Sequence, residues 1–547
     1  MIRRLAEKLP YLFWFATGFL LFAAFPPFGE RMDAFFALAP AMFFARRNSP
    51  RKSFLCWFSN GLFFWVATLS WMPAIVKNDG PWPLVLLGWF ALSAYCALYF
   101  GAFGWASATL WRWARPRAYV CRLAVIVVAE PLLWAGLELV RSRFGGGFAW
   151  NQLGVAPVNS GLGAPAVLGG VYLVSAAVVL VNGTFASVAE RVFASYDANA
   201  PAVPRWARSV ETILPVLLVL GLYSAARPFV AEASGGDRRN VIFGLVQRNF
   251  PCAFLPVEKD PDAVYSDLRF DLVSKLVAAR PADPSGHLAR YDAFLLPESA
   301  LCESFKAGRA SLVNSSAAAE FASQLMADGW SGSVIAGGSR IDRDPARLYN
   351  SLALYSDGPL QVYDKVHLVP FGEYIPGDKI FPSLQKMAPV GSCTAGEPKL
   401  LKIPAATGGV LAGPAICFED TDSALMRSHA AAGAQILVFA TNDSWFYGSC
   451  EPVQHAWQAV ARAVETGLPV VRTGNSGVTG HVLPDGSATW LQDASGKPLV
   501  DSPGAMYANV TVRDGARQTP YVRLGDTPLF CAFLLLITAI SVIKYKS

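Results

Sequence analysis

Three residues in the polar second half of this chain have the types needed to make and break an acyl–sulfur bond. Glu298 closes the apolar run Phe294-Leu295-Leu296-Pro297. Lys365 opens the string Lys365-Val366-His367-Leu368-Val369-Pro370-Phe371-Gly372-Glu373. Cys417 ends Ala415-Ile416 and is followed at once by Phe418-Glu419-Asp420. A carboxylate accepts protons, an ammonium offsets a developing oxyanion and a thiolate is a soft nucleophile, so the three together suit thioester chemistry. Taken singly, each has a plainer reading: an exposed turn glutamate, a solvated lysine and a buried structural cysteine.

Local context sharpens the chemical reading. Cys417 stands where a buried-strand pattern gives way to Glu419-Asp420-Thr421-Asp422-Ser423, which reads as the start of a helix. A thiol at that corner is expected to feel the positive end of the helix dipole, which lowers its pKa. The backbone N–H of Phe418 can form part of an oxyanion hole there. Glu298, at a strand end, is expected to be partly buried, which raises its pKa and suits it to take the thiol proton. His367 and His455 read as hydrogen-bonded or packed residues, and no spacing of His, Cys and carboxylates suggests a metal site. Neither a cofactor nor a metal is expected.

The elements that must position these residues alternate along the chain. Short apolar runs at 241–246, 293–296, 333–336, 351–355, 410–416, 436–440, 469–471 and 507–512 predict strands, and 263–279, 317–327, 423–432 and 451–465 predict helices. That alternation predicts an α/β domain over 239–518. A Gly/Asp/Arg stretch, Ser234-Gly235-Gly236-Asp237-Arg238-Arg239, separates it from what precedes.

The first part is of another kind. Of 547 residues, 53% are hydrophobic and 16% charged, and the mean hydropathy is +0.35. That is too apolar for a soluble protein of this size and predicts a polytopic membrane protein. Candidate spans are 11–25, 33–45, 54–72, 84–110, 123–139, 164–181, 213–225 and 528–543, about eight in all. They define a helical membrane domain over 1–226 and a last span with its tail over 527–547. Arg and Lys cluster in alternate loops (Arg46, Arg47, Arg51 and Lys52; Arg112, Arg115, Arg117 and Arg122; Arg191, Arg205 and Arg208), which predicts cytoplasmic termini and an exported α/β domain. The net charge of +6 is explained by those loops, so nucleic acid is not expected as a partner. Glu130 and Glu138 stand out as carboxylates within a span. Four of the nine cysteines, Cys252, Cys302, Cys393 and Cys450, lie with Cys417 in the exported segment. They can pair in three ways, and the loop-like Gly/Ser surroundings of Cys393 and Cys450 favour a bridge between those two.

Pro297-Glu298-Ser299-Ala300, Tyr363 to Glu373 and Ile416-Cys417-Phe418-Glu419 resemble the Glu-Lys-Cys motifs of the nitrilase, or carbon–nitrogen hydrolase, superfamily. Asn442-Asp443-Ser444-Trp445-Phe446 and Arg472-Thr473-Gly474-Asn475-Ser476-Gly477 resemble its later segments. With several spans before this domain and one after, and with Phe25-Pro26-Pro27-Phe28-Gly29 and Gly147-Phe148-Ala149-Trp150, nearly the whole chain resembles the bacterial apolipoprotein N-acyltransferase family. The resemblance implies an α-β-β-α sandwich on a membrane base. It implies Glu298 as general base, Lys365 as oxyanion stabiliser and Cys417 as nucleophile, with Glu373, Glu419, Phe418 and Asn442 in support. It further implies a phospholipid acyl donor, a diacylglyceryl-modified apolipoprotein acceptor and a place in the bacterial inner membrane with the catalytic domain in the periplasm. A monomer is expected. The alternative is a membrane-anchored amidase or nitrilase acting on small amides. Two departures from the family pattern stand out: Phe418 where the family has tyrosine, and no tryptophan in 247–254, where Phe250 or Phe254 stands in its place.

Overall fold

The computed structural model describes residues 15–78, 80–194, 205–234, 238–249, 290–300, 304–306, 332–343, 346–377, 392–406, 408–515 and 518–546. The chain forms two compact units, 1–230 with 519–547, and 231–518.

The second unit is built on two mixed sheets. One runs β13 (Gly504–Arg513), β1 (Arg238–Gln247), β2 (Ala293–Leu295), β4 (Ser333–Arg343), β5 (Ala346–Ser356) and β6 (Gln361–Asp364), with β3 (Ser304–Lys306) also pairing with β4. The other runs β12 (Ala488–Trp490), β11 (Gly480–Val482), β10 (Val470–Asn475), β9 (Ile436–Asn442), β8 (Val410–Ile416) and β7 (Leu401–Ile403). β1, β2 and β4 are parallel, as are β8, β9 and β10, while the flanking strands are antiparallel.

Alternation explains how the sheets stack. Val241, Phe243 and Leu245 of β1, Ile436, Val438 and Ala440 of β9, and Ala508, Val510 and Val512 of β13 belong to one buried cluster shared by both sheets. With a side-chain period of two, the intervening residues point the other way. β9 is buried along its whole length because its second face is covered as well. On that side lie α1 (Ser423–Ala431) and α2 (Glu451–Thr466). Asp422 caps α1 through Ala424 N and Leu425 N. Gly467, at φ 68°, ends α2 in the left-handed conformation that glycine adopts without strain.

The expected strands all form, several of them longer than their apolar runs. The short strands β3, β7, β11 and β12, and β6, add to them. The helices expected at 263–279 and 317–327, Cys252, Cys302, Phe250 and Phe254 lie outside the described residues.

The first unit, among its described residues, has helices long and apolar enough to cross a membrane at Pro50–Lys77, Trp82–Ala114, Tyr119–Arg141, Ala166–Phe193 and Trp206–Glu232; Thr527–Tyr545 makes a sixth. The regions at 11–25 and 33–45 hold shorter pieces, Ala16–Ala23, Ala34–Ala37 and Ala39–Arg47. A charge cluster lies within this unit. Arg46 Nη2 donates to Glu130 Oε2 (3.0 Å) and to the Gly183 carbonyl, and Arg46 Nη1 donates to Ser187. Glu130 Oε1 accepts from Ser107 Oγ (2.7 Å) and Trp111 Nε1 (2.9 Å). The guanidinium also lies over the Trp111 ring. Such pairing is what a buried charge requires.

Candidate active site

Glu298 follows β2, where Leu296 N still bonds to Ile335 O in β4. The chain then turns through Ser299, a non-glycine residue at φ 56°. Opposite, a Cβ on Gly337 would sit 2.6 Å from the Glu298 Cα, so only glycine lets β4 pass this close. Lys365 leaves the end of β6 with its N–H on Asn350 O and its C=O accepting from Gly396 N. Cys417 leaves the end of β8 at φ 53°. Side chains other than glycine reach that region at a cost of about 1–3 kcal/mol, and they stay there only where surrounding contacts hold them.

These three ends meet. Lys365 Nζ lies 2.9 Å from Glu373 Oε1 and 3.9 Å from Glu298 Oε1. Asn350, on β5, reaches both acids: its Nδ2 donates to Glu298 Oε1 (2.6 Å) and Glu373 Oε1 (2.7 Å). Glu373 Oε2 accepts from Val369 N, which folds the loop after Lys365 back on itself. The Cys417 side chain lies close enough to the Glu298 carboxyl to oppose the upward push of burial on it.

Glu419 ties the parts together from below. It is fully buried and accepts from Val366 N (2.7 Å), His367 N (3.0 Å), Ile416 N (2.8 Å) and the Tyr363 hydroxyl. Burial pushes its carboxyl up, against the Lys365 ammonium and the backbone donors.

The electrostatics follow from three carboxyls around one ammonium. Burial alone would lower Lys365, but Glu373 and Glu298 outweigh it and hold the ammonium well above its ordinary value. Glu298 is raised by burial, with Glu373 adding to it and Lys365 opposing. Cys417 is raised well above a normal thiol by burial and by Glu298, with Lys365 opposing. This corrects the expectation of a thiol acidified by a helix dipole. Residues Cys417–Thr421 form a 3-10 turn, and α1 starts only at Ser423. Desolvation and a carboxyl neighbour therefore decide the thiol's state. The site can pass a proton from sulfur to a buried carboxyl of raised pKa, beside a permanent cation.

The other expected residues fall as follows. Phe418, half-buried, is next in the turn. Asn442 ends β9 in register with Asn475 of β10, and its Oδ1 accepts from Asn475 Nδ2 (2.9 Å) and Ser444 Oγ (2.8 Å). His367 pairs with Asp422. His455 is bonded to Asp443 (2.8 Å). The expected Cys393–Cys450 bridge is absent: both are free thiols. Cys393 N is tied to Glu373 O, Cys450 Sγ accepts from Gln454, and burial raises both thiols to about 11, which keeps the reactive thiolate scarce. Asn350 escapes a reading of the sequence, since an asparagine inside a strand pattern carries no signal of its own.

The apolipoprotein N-acyltransferase N-terminal domain family matches residues 17–184, and the carbon-nitrogen hydrolase family matches residues 292–504. An apolipoprotein N-acyltransferase of Geobacter metallireducens is 30% identical over 539 residues, covering 94% of this chain and 92% of that one. The chain belongs to the apolipoprotein N-acyltransferase family. Members from Pasteurella multocida (25% identical, 98% of this chain and 96% of that one) and Haemophilus influenzae (26%, 100% and 97%) are similar over their whole lengths as well. The carbon–nitrogen hydrolase match covers most of the two mixed sheets, and among the described residues six helices are long and apolar enough to cross a membrane.

Proposed function

We propose that the chain is a phospholipid:apolipoprotein N-acyltransferase working through a thioester on Cys417. The observation that carries this reading is the meeting of Glu298, Lys365 and Cys417 at three strand ends, in a chain of this family. In the first half-reaction the sulfur attacks the acyl carbonyl of a phospholipid. The S–C bond forms, the ester C–O bond breaks, and the thiol proton passes through Glu298 to the departing lysophospholipid oxygen. In the second, the α-amine of an N-terminal diacylglyceryl-cysteine attacks the thioester. The N–C bond forms, the C–S bond breaks, and the amine proton returns through Glu298 to sulfur. Lys365 faces the oxyanion in both. Glu373 and Asn350 aim Lys365 and Glu298, Glu419 fixes the Cys417 turn, and Phe418 and Asn442 complete the surround. A general base of this kind contributes typically about 10²–10⁴-fold.

The same reading assigns 1–226 to a membrane domain, 239–518 to catalysis and 527–547 to a final crossing and tail. The candidate regions at 11–25 and 33–45 would bring the crossings to about eight. The basic loops then put both termini in the cytoplasm and the catalytic domain in the periplasm of a bacterial inner-membrane protein, acting as a monomer. Both substrates carry lipid tails, and withdrawing them from a bilayer costs about 0.8 kcal/mol per CH₂, so the reaction belongs at the membrane.

Intact-mass analysis of the purified protein tests this. A fatty-acyl adduct on Cys417, removed by hydroxylamine and absent in Cys417→Ala, is expected, together with transfer of that acyl group to a diacylated lipopeptide. An adduct that only hydrolyses would make the protein a lipase, and hydrolysis of small amides instead would identify an amidase.

A further inference from the structure

α2 carries a histidine that the acyl-transfer steps do not use. His455 is buried, at 1% exposure. Its Nδ1 lies 2.8 Å from Asp443 Oδ1, and its Nε2 lies 3.0 Å from Asp420 Oδ1 and 3.3 Å from the Cys417 carbonyl oxygen. Every one of these partners is an oxygen acceptor. A neutral imidazole has one N–H and can satisfy one side only, so a ring with acceptors on both sides is satisfied as the imidazolium.

The groups around the ring fit that charge. Arg472 pairs with Asp420 and, at 3.2 Å, with Asp443 Oδ2. Glu451, one turn earlier on α2, has Oε1 3.7 Å from Nδ1, and burial and Asp443 drive it toward its neutral form. Two cations then face two carboxylates. Burial opposes the ring's charge, but Asp420 and Asp443 outweigh it and push His455 up to about 10. Backbone holds the acid in place: a Cβ on Gly477 would lie 2.1 Å from Asp443 Oδ2. The sulfur of Cys417, a ring nitrogen of His455 and a carboxylate oxygen of Asp443 all lie within 4.8 Å of one another.

Cys417 is held at φ 53°, and its carbonyl is the group that this ring faces. We propose that His455 is a positioning residue for the nucleophile: braced by Asp420 and Asp443 as an imidazolium, it anchors the Cys417 carbonyl, keeps the residue in its left-handed conformation and sets a second positive charge beside the sulfur. The inference rests on the assignment of Cys417 as nucleophile.

Two variants of the full-length protein in phospholipid–detergent micelles test it, His455→Gln and Asp443→Asn. Two rates are read: single-turnover acylation by intact mass, and iodoacetamide alkylation of Cys417 by peptide mass from pH 6 to 9. For His455→Gln, acylation 10- to 100-fold slower at an unchanged half-saturating phospholipid concentration is expected, with alkylation at pH 8 at least five-fold slower. Asp443→Asn removes one brace while keeping an acceptor oxygen. It is expected to acylate several-fold slower at pH 6 and to lose about a further ten-fold by pH 9, as the ring gives up its proton; the unmodified protein shows no such fall. Rates within two-fold of the unmodified protein in His455→Gln, or an unmodified pH profile in Asp443→Asn, would overturn the proposal, and so would loss of folding in both variants, which would make the ring a packing residue. If the unmodified protein takes up no acyl group, the acyltransferase reading fails, while the alkylation arm still judges His455.

Discussion

Two buried glutamates, Glu130 in the helical unit and Glu298 in the α/β unit, are held in opposite ways. Glu130 has both oxygens occupied, by Arg46 on one side and by Ser107 and Trp111 on the other. Glu298 is gripped by Asn350, stands 3.9 Å from the Lys365 ammonium and has the Cys417 thiol close by. A carboxylate with donors on both oxygens is held in one place by them, as a buried polar group requires. A carboxyl that is buried but under-compensated sits closer to neutrality and can trade a proton. Saturation makes a strut of the first, and its lack fits the second to its proposed role as a base.

The sharpest way to break that contrast is at the sulfur. Cys417→Ala is expected to abolish the acyl adduct and lower turnover by about 10⁴-fold or more, and Glu298→Gln by about 10²–10⁴-fold, both read by intact mass and lipopeptide transfer. Next in size is the strut. Arg46→Met leaves Glu130 buried without its cation and is expected to cost about 3–5 kcal/mol of stability, seen as a lower melting temperature in detergent, while adduct formed per folded molecule stays the same. If Arg46→Met instead silences acylation at full stability, the contrast fails. Asn350→Ala is smaller. It frees Glu298 and Glu373 to shift, and a displacement of about 1 Å corresponds to roughly 10² in rate, with the melting temperature little changed.

The mildest is pH. His455 has its folded pKa raised to about 10, so its contribution is fully present below the unfolded value near 6.5 and is lost as pH rises through about 10. Glu298 and Glu451, also raised, press in the same direction above their unfolded values. Melting temperature is therefore expected to fall from pH 7 to pH 10, at no more than about 1.4 kcal/mol per pH unit for the histidine. A curve that rises over that range would rule out the charged ring.

What is legible in the sequence, and what is not, follows from how each element is stabilised. β8 and β9 are legible because both of their faces are buried, giving continuous apolar runs. α2 is legible from its apolar periodicity and its proline in the first turn. β7, β11 and β12 are three residues each and owe their conformation to a neighbouring strand, so no local run announces them. Glu298, Lys365 and Cys417 can be singled out because strand ends and motif strings mark them. Asn350 cannot, because its value lies in reaching two acids distant in sequence. The thiol's raised pKa is hidden for a similar reason: the helix start is read from the residues after Cys417, whereas burial and Glu298 come from the fold.

The single carboxyl of Glu419 bonds to the amides of Val366 and His367 and to that of Ile416, so it spans the segments that carry the ammonium and the sulfur. Those two reactive groups are therefore riveted to each other and travel as one piece. In the proposed two-step reaction, a movement that admits the second substrate is expected to leave this joint intact.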